Sequence, residues 1–329
     1  MVVPTLAADS ALDECLSSLH AQTWRDFEVI VVDNSTQRLA RRNPAAARTR
    51  LIENGRNAGF GAAVNQGLDA SRAPYLATLN DDAVAHPGWL AALLEAMTSR
   101  PEAGMCASQV RLAGEELLDS AGMLMCADGS SKQRGHRQPP ARFSQPAEVL
   151  FPSASAALYR RAMLDEIGGF DEDFFLYSED TDLGLRARWA GWKCLYVPQA
   201  AVDHRYSHSA GRASPLKAYY VERNRLFVIV KNFPAGALAR APLAALARYA
   251  WHAASIGQGQ GVAARFRNDG HSAWKLVLFV LRAHLALVAA WRGLWSKRRR
   301  IRRAAKITPA EFRRLLRAHS ISAREVAAL

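Results

Sequence analysis

Cysteine is scarce and scattered: the 329 residues hold four, Cys15, Cys106, Cys126 and Cys194, with no CxxC pair. That spacing argues against a cysteine-ligated zinc site and fits a reducing compartment. The N-terminus lacks a basic region followed by an apolar stretch and a small-residue cleavage site, so no signal peptide is expected and the cytoplasm is the expected location. Nor does any stretch reach the roughly 18 uninterrupted apolar residues of a spanning helix. Leu, Val, Ala, Phe and Trp dominate between Trp274 and Trp295, but Lys275, Arg282, His284 and Arg292 interrupt them. Acid is also missing from one region. Residues 1–200 carry 19 Lys and Arg against 25 Asp and Glu, whereas residues 201–329 carry 24 against 5.

The net charge of +13 is therefore an average over a mildly acidic part and a strongly basic one. An anionic partner, lipid or nucleic acid, is expected for the second part alone. No RNA- or DNA-binding motif is visible, and the basic run Lys297, Arg298, Arg299, Arg300, Arg302 and Arg303 directly follows the Trp-rich apolar segment. A helix lying in a membrane interface fits this better than a nucleic-acid module, since each cation near an anionic leaflet adds about 1 kcal/mol of attraction. Leu238 to Ile256 offers a second apolar face. The other reading of these helices is packing on the rest of the protein with a solvated basic edge.

Half of the residues are apolar, enough for a substantial core. Met1 to Thr5 reads as a strand, Ser10 to Gln22 as a helix with Leu12, Leu16 and Leu19 on one face, and Phe27 to Asp33 as a strand ending in a carboxylate. Arg50 to Ile52 is a further strand. The glycine turn Asn57 to Gly61 leads to a helix over 62–70, and the strand Tyr75 to Leu79 runs into Asn80-Asp81-Asp82. Strand and helix alternate as in a parallel α/β sheet, whose ligands gather at the carboxyl ends of the strands. Residues 114–146 read as loops and a hairpin, Ala154 to Ile167 as a helix broken by Gly168-Gly169, Thr181 to Ala190 as a helix, and Lys193 to Val197 as a strand leading to His204 and His208.

Three carboxylates, Glu179, Asp180 and Asp182, follow the aromatic run Phe174-Phe175-Leu176-Tyr177. With Asp81-Asp82 and the histidines they suggest a metal-assisted transfer site. Simpler readings stay open: Asn80-Asp81-Asp82 as a solvated turn, and the triplet as acids favoured at a helix start. Asp182 also suits a pairing with Arg186, four residues on.

Taken in order, Val2-Val3-Pro4-Thr5, Asp33-Asn34-Ser35, Asn57-x-Gly59-Phe60 with Asn65, Leu79-Asn80-Asp81-Asp82, Gly168-Gly169-Phe170-Asp171-Glu172, Glu179-Asp180-x-Asp182 and Val202-Asp203-His204 resemble the family 2 inverting glycosyltransferases. The likeness is to the rhamnosyl- and galactofuranosyltransferase-like branch, covers about two thirds of the chain, and continues weakly in Arg223-Asn224-Arg225. It implies a GT-A-type nucleotide-sugar-binding α/β domain, with a mixed, mainly parallel sheet between helices, over 1–215. A basic, helical, membrane-associated region would follow over 216–329. It also implies transfer from a nucleoside-diphosphate sugar, a UDP- or dTDP-sugar such as dTDP-rhamnose, to a hydroxyl of a lipid-linked glycan or polysaccharide. Cell-envelope glycan assembly on the inner face of the plasma membrane is the setting implied.

Carried residue by residue, the resemblance makes Asp82 the direct ligand of Mg²⁺ or Mn²⁺, with Asp81 steadying the site and His204 a further ligand. His208 is a weaker candidate. Pro4, Thr5, Asp33, Asn57, Gly59, Phe60, Asn65, Asn80 and Asp81 would line the donor pocket, Asp33 at the nucleobase and Asn80 near the ribose. Asp180 would be the general base and Glu179 would position the acceptor or the base. The chain departs from the pattern in starting almost inside its first strand, which is expected to reflect a truncated or misassigned start. It departs also in Ser153-Ala154-Ser155-Ala156 where a glycine turn is usual, in bulky Trp189 and Trp192, and in Asn80 where an acid is usual. The rival to an enzyme is a catalytically idle membrane-associated scaffold of the same fold.

Overall fold

Four short strands set the frame, β1 (Val2–Thr5), β2 (Ile30–Asp33) and β4 (Tyr75–Leu79) with largely buried side chains and β3 (Arg50–Glu53), at the end of the sheet, only partly buried. Apolar on both faces, β1, β2 and β4 belong inside a parallel sheet covered by helices. A computed structural model describes residues 1–6, 9–205, 214–257 and 274–328. In it β1 pairs in parallel with β2 and β4, and β2 with β3, in a register that sets Thr5 beside Asp33 and Asp33 beside Glu53. The remaining strands are β5 (Ala83–Ala85), β6 (Ala103–Leu112), β7 (Leu118–Ser120), β8 (Met123–Met125), β9 (Ser131–Gln133), β10 (Ala147–Val149), β11 (Ala156–Arg160) and β12 (Lys193–His204). The main sheet runs β10-β12-β6-β11-β4-β1-β2-β3, with β5 on β12 and β7 on β6. Because β11 is antiparallel to both neighbours, β4 and β6, the sheet is mixed.

Helix α1 (Ser10–His20), capped by Asp9, packs Leu12, Leu16 and Leu19 into the core beside Trp89, Leu93 and Met97 of α3 (Trp89–Ser99). Helices α2 (Phe60–Ala70), α4 (Arg161–Ile167) and α5 (Glu179–Trp189) complete this part. The expected helix over 154–167 is a strand followed by a short helix. Ala156 to Tyr159 are all buried, and an apolar run enclosed on both faces has no period that separates a strand from a buried helix.

Contacts divide the chain into two compact units, Met1–Met123 with Gln133–Ser209, and Leu124–Lys132 with Ala210–Leu329. The second unit holds α6 (Pro215–Asn232), α7 (Ala235–Gly257), α8 (Trp274–Arg303), α9 (Pro309–Ala318) and α10 (Ala323–Ala328). Residues 124–132 join it through buried charge. Asp128 is fully buried and takes hydrogen bonds from Arg248, while its carbonyl accepts from Arg225 Nη1 at 2.7 Å. Arg225 and Arg248 also pair with the buried Glu222, so every charge in the group is matched.

Helix α8 packs one face, with Ala283, Leu294, Arg298 and Ile301 buried, in contact with α6. Arg298 Nη1 donates to the carbonyls of Val230 and Phe233 at 2.8 and 2.7 Å, and Arg302 Nη2 to that of Asn232 at 2.8 Å. These two arginines satisfy carbonyls at the end of α6, as cations at a helix C-terminus do. They are not part of a free basic edge, contrary to the reading of 297–303 as one cluster. Arg299, Arg300 and Arg303 are exposed. Among the described residues α8 alone is long and apolar enough to cross a membrane, with a mean hydropathy of 1.6 over its best stretch, 6% of it buried. The interrupting charges had pointed away from such a length.

Candidate active site

Parallel pairing brings the carboxyl ends of β1, β2 and β4 to one edge, and with them Thr5, Asp33 and Asn80-Asp81-Asp82. Asp81 is half-buried, and burial pushes its carboxyl up to about 6 against the hydrogen bond from Thr5, with the charge of Asp82 adding to the rise. Asp82 is 6% exposed and leads into β5, whose antiparallel pairing with the end of β12 sets His204 opposite Ala83. His204 Nε2 thereby stands 3.2 Å from Asp82 Oδ1 and 3.3 Å from Asn80 Nδ2. Its Nδ1 stands 2.9 Å from Asp119 Oδ2. Burial alone would lower the imidazole, but the hydrogen bond to Asp119 and the neighbouring carboxylate of Asp82 carry it up to about 10. His208 lies outside the described residues.

Asp82 Oδ1 is buried and has no aligned hydrogen-bond donor. A divalent cation that displaced the Nε2 proton would fit between this oxygen and the imidazole nitrogen, because two adjacent ligands at roughly 2.1 Å from an octahedral ion lie about 3 Å apart. Among the described residues no group of three or more His, Cys, Asp or Glu side chains could hold a metal ion. A cation here would need oxygens from a bound diphosphate, the usual arrangement for Mg²⁺.

The other acids sit at the start of α5. Phe175, Tyr177 and Ser178 all have positive φ, between 62° and 68°, an uncommon conformation for residues with a Cβ and one that clusters at functional sites. Glu179 is 7% exposed and its Oε2 has no hydrogen-bond partner. Asp180 accepts from the Thr181 amide at 2.6 Å, the Thr181 hydroxyl at 3.3 Å and the Ala154 amide at 3.3 Å. Burial and the neighbouring charge push Glu179 up to about 8, and burial also raises Asp180. The hydrogen bonds to Asp180 favour its charged form. Of the two, Glu179, whose Oε2 has no donor, is favoured to hold a proton, and Asp180, with three donors, to stay charged. Asp182, fully buried, pairs with Arg186 at 2.8 Å, as the four-residue spacing suggested.

Residues 154 and 155 link the two acid clusters. While the Ala154 amide donates to Asp180, the Ser155 carbonyl accepts from the Asn80 amide at 2.8 Å. Carboxylates about 100 positions apart in the chain are thus held from adjacent residues of one strand entry.

The proposed donor-side residues divide by what they touch. Asp33 is fully buried, and its two oxygens accept from the amides of Ser35 and Ala40 at 2.7 and 2.8 Å. Asn57 Oδ1 accepts from the Gly59 amide at 2.9 Å. Gly59 has φ +90°, and a Cβ there would stand 2.4 Å from the Phe175 carbonyl oxygen, which accepts from the Phe60 amide at 2.9 Å. Asn65 exchanges two hydrogen bonds of 2.8 Å with the Phe170 backbone and donates to Glu172 at 3.0 Å. The polar groups of Asn57 to Phe60 and of Asn65 thus brace the loop that carries Glu179 and Asp180. Pro4 is half-buried on β1, one residue before Thr5.

Sequence reasoning missed Asp119. It lies on the three-residue strand β7, inside the stretch read as loop, and no local pattern marks it. Burial pushes its carboxyl up, but hydrogen bonds from His136 and His204 outweigh this and hold it at about 2.

The raised Glu179 has a consequence for stability. Between the ordinary glutamate value of 4.5 and about 8, the folded protein keeps a proton that the unfolded chain has lost, so stability falls as pH rises through that window. Thermal melts of wild type and Glu179→Gln, which cannot titrate there, should diverge with rising pH at the expense of wild type. A pH-independent difference would show that Glu179 is not held protonated.

A mixed sheet with acids gathered at its carboxyl edge is the architecture of the GT-A class. The fold is similar to GalNAc-T7 solved with UDP, GalNAc and Mn²⁺, at TM-score 0.56 and 16% identity, over 70% of this chain and about half (47%) of that one. It is also similar to the mannosyltransferase PcManGT from Pyrobaculum calidifontis solved with GDP-Man and Mn²⁺, at TM-score 0.52 and 17% identity, over 92% of this chain and 84% of that one. The chain belongs to glycosyltransferase family 2: the family model described as Glycosyl transferase family 2 matches residues 1–168. Its rhamnosyltransferase-like character follows from a relative in Mycobacterium tuberculosis, N-acetylglucosaminyl-diphospho-decaprenol L-rhamnosyltransferase, 32% identical over 67% of this chain and 80% of that protein. O-antigen biosynthesis protein RfbC of Myxococcus xanthus is 27% identical over 64% of this chain and 17% of its own length.

Proposed function

We propose that this protein transfers a sugar, with inversion, from a nucleoside-diphosphate donor to a hydroxyl of a lipid-linked or polysaccharide acceptor in cell-envelope glycan assembly. The observation that carries this reading is the convergence on residues 154–155 of the Asn80-Asp81-Asp82 turn, with His204, and of Asp180. One cluster suits the diphosphate leaving group and the other suits the acceptor. The rhamnosyltransferase relative favours dTDP-rhamnose as donor and a polyprenyl-diphosphate-linked sugar as acceptor.

In this mechanism Asp82 and His204 would hold Mg²⁺ or Mn²⁺ together with the donor diphosphate, and the cation would neutralise the charge that grows on the leaving group. Asp180 takes the proton of the acceptor hydroxyl as its oxygen attacks the anomeric carbon. The bond from that carbon to the diphosphate oxygen breaks on the opposite face, and its electron pair leaves with the nucleoside diphosphate. Glu179, protonated, leaves Asp180 as the basic partner and adds no second negative charge beside the acceptor. Thr5 and Asn80 line the donor side, and Asp33, Asn57, Gly59, Phe60 and Asn65 shape it through the backbone they fix. A screen of nucleotide sugars for metal-dependent hydrolysis by the purified full chain tests this reading. Metal-dependent release of UDP or dTDP is expected, and no release from any donor with either ion would reject it.

The division of labour we propose gives catalysis to the first unit and membrane attachment to the helices after residue 215. On α8 the residues Trp274, Val277, Leu281, Leu285, Val288 and Trp291 recur at helical spacing and are all 44% exposed or more. Arg299 and Arg303 continue the same face. An apolar stripe extended by cations, on a helix whose opposite face is packed, fits a peripheral helix in the headgroup region of an anionic leaflet. The setting proposed for it is the cytoplasmic side of the plasma membrane. Replacing Arg299, Arg300 and Arg303 with glutamine should reduce co-sedimentation with anionic liposomes and leave the melting temperature near wild type. Arg298→Gln should do the reverse, because its two carbonyl bonds are buried. Unchanged liposome binding by the triple variant would remove the electrostatic part of the attachment.

A further inference from the structure

Two protein atoms are few with which to hold a cation, so the orientation of the one imidazole matters. A histidine ring can present either nitrogen, and only the hydrogen bond made by one decides which faces a ligand. At His204 that decision falls to Asp119. Its Oδ2 stands 2.9 Å from Nδ1, with both side chains 8% exposed or less, while Nε2 looks toward Asp82 Oδ1 at 3.2 Å. Asp119 is itself braced. Its Oδ1 lies 3.4 Å from His136 Nδ1 and accepts from Gln133 Nε2 at 3.5 Å. The strand that carries it, β7, pairs with β6 next to the register position where β6 meets His204.

We infer that Asp119 is a positioning residue that fixes His204 with Nδ1 turned to itself and Nε2 turned to the cation position beside Asp82. The inference rests on reading Asp82 and His204 as the cation's protein ligands. A carboxylate behind a ligating imidazole fixes its tautomer and raises its basicity, and its loss weakens metal binding by about 10- to 100-fold. Asp119 touches neither donor nor acceptor in this role and acts only through His204.

The test uses the full chain with Mn²⁺ and UDP or dTDP, followed by electron paramagnetic resonance. Mn²⁺ affinity is read from the free-ion signal, and imidazole ligation from the hyperfine coupling of ¹⁵N-labelled histidine. Asp119→Asn, which keeps the size and shape of the side chain, should bind Mn²⁺ about 10-fold or more weaker than wild type. Its melting temperature should stay close to wild type, and Asp119→Ala should also lose nitrogen coupling. Wild-type affinity and coupling in the Asp119 variants, alongside their loss in His204→Ala, would overturn the inference and leave the ligand assignment standing. Wild-type Mn²⁺ binding in Asp82→Asn and His204→Ala as well would overturn both.

Discussion

Asp180→Asn should lower turnover by about 10²-fold or more while leaving donor affinity nearly unchanged. Asparagine has the size of aspartate and its amide oxygen can still accept from the Ala154 and Thr181 amides that now hold the carboxylate. The loop with three left-handed residues before α5 therefore keeps its anchor, and what disappears is basicity. Because proton removal from the acceptor belongs to the chemical step, the loss should fall on kcat and not on donor binding. Single-turnover rates and donor titration on the same preparation check this. An equal loss of donor binding would make Asp180 a donor-site or structural residue.

Asp82→Asn should reduce transfer to background and remove the metal dependence of nucleotide binding. The buried Oδ1 that faces His204 Nε2 at 3.2 Å would be half of the protein's share of the cation site, and an amide is a far poorer ligand for a hard cation than a carboxylate. Removing the charge also leaves His204 paired with Asp119 alone. Calorimetric titration of UDP or dTDP with and without Mn²⁺ is the measurement, with chelated wild type as the matching control. Full activity in the variant, or in wild type under chelator, would reject the site.

Much of this was legible because the chemistry-bearing residues follow strand ends. Asp33, Asp81-Asp82 and His204 each close an apolar run, and a parallel sheet gathers such ends at one edge whatever the loops between them do. The four-residue step from Asp182 to Arg186 could also be read directly. What resisted reading lacked a local signature. Ala156 to Tyr159 is apolar on every side, so nothing in its pattern separates strand from helix. Asp119 sits on a three-residue strand paired with the preceding strand β6, and its meaning comes from His204, 85 positions away in sequence. The turn at Asp128 sits with α6 and α7 because two buried arginines of those helices, Arg225 and Arg248, pair with it. Arg298 and Arg302 look like members of a basic run, and only the carbonyls of α6 distinguish them from Arg299, Arg300 and Arg303. Asp33 keeps its place at a strand end, but both of its oxygens serve backbone amides.

The central claim is that the Asp82–His204 pair and Asp180 serve one inverting transfer. Its most direct test is the anomeric configuration of the product, followed by proton NMR. The reaction would contain the purified full chain, Mn²⁺, dTDP-rhamnose or another nucleoside-diphosphate sugar accepted in the screen, and a polyprenyl-diphosphate-linked acceptor. The account predicts a product of inverted configuration relative to the donor, lost under chelator and in Asp180→Asn. A product of retained configuration, or one formed undiminished by Asp180→Asn, would contradict it.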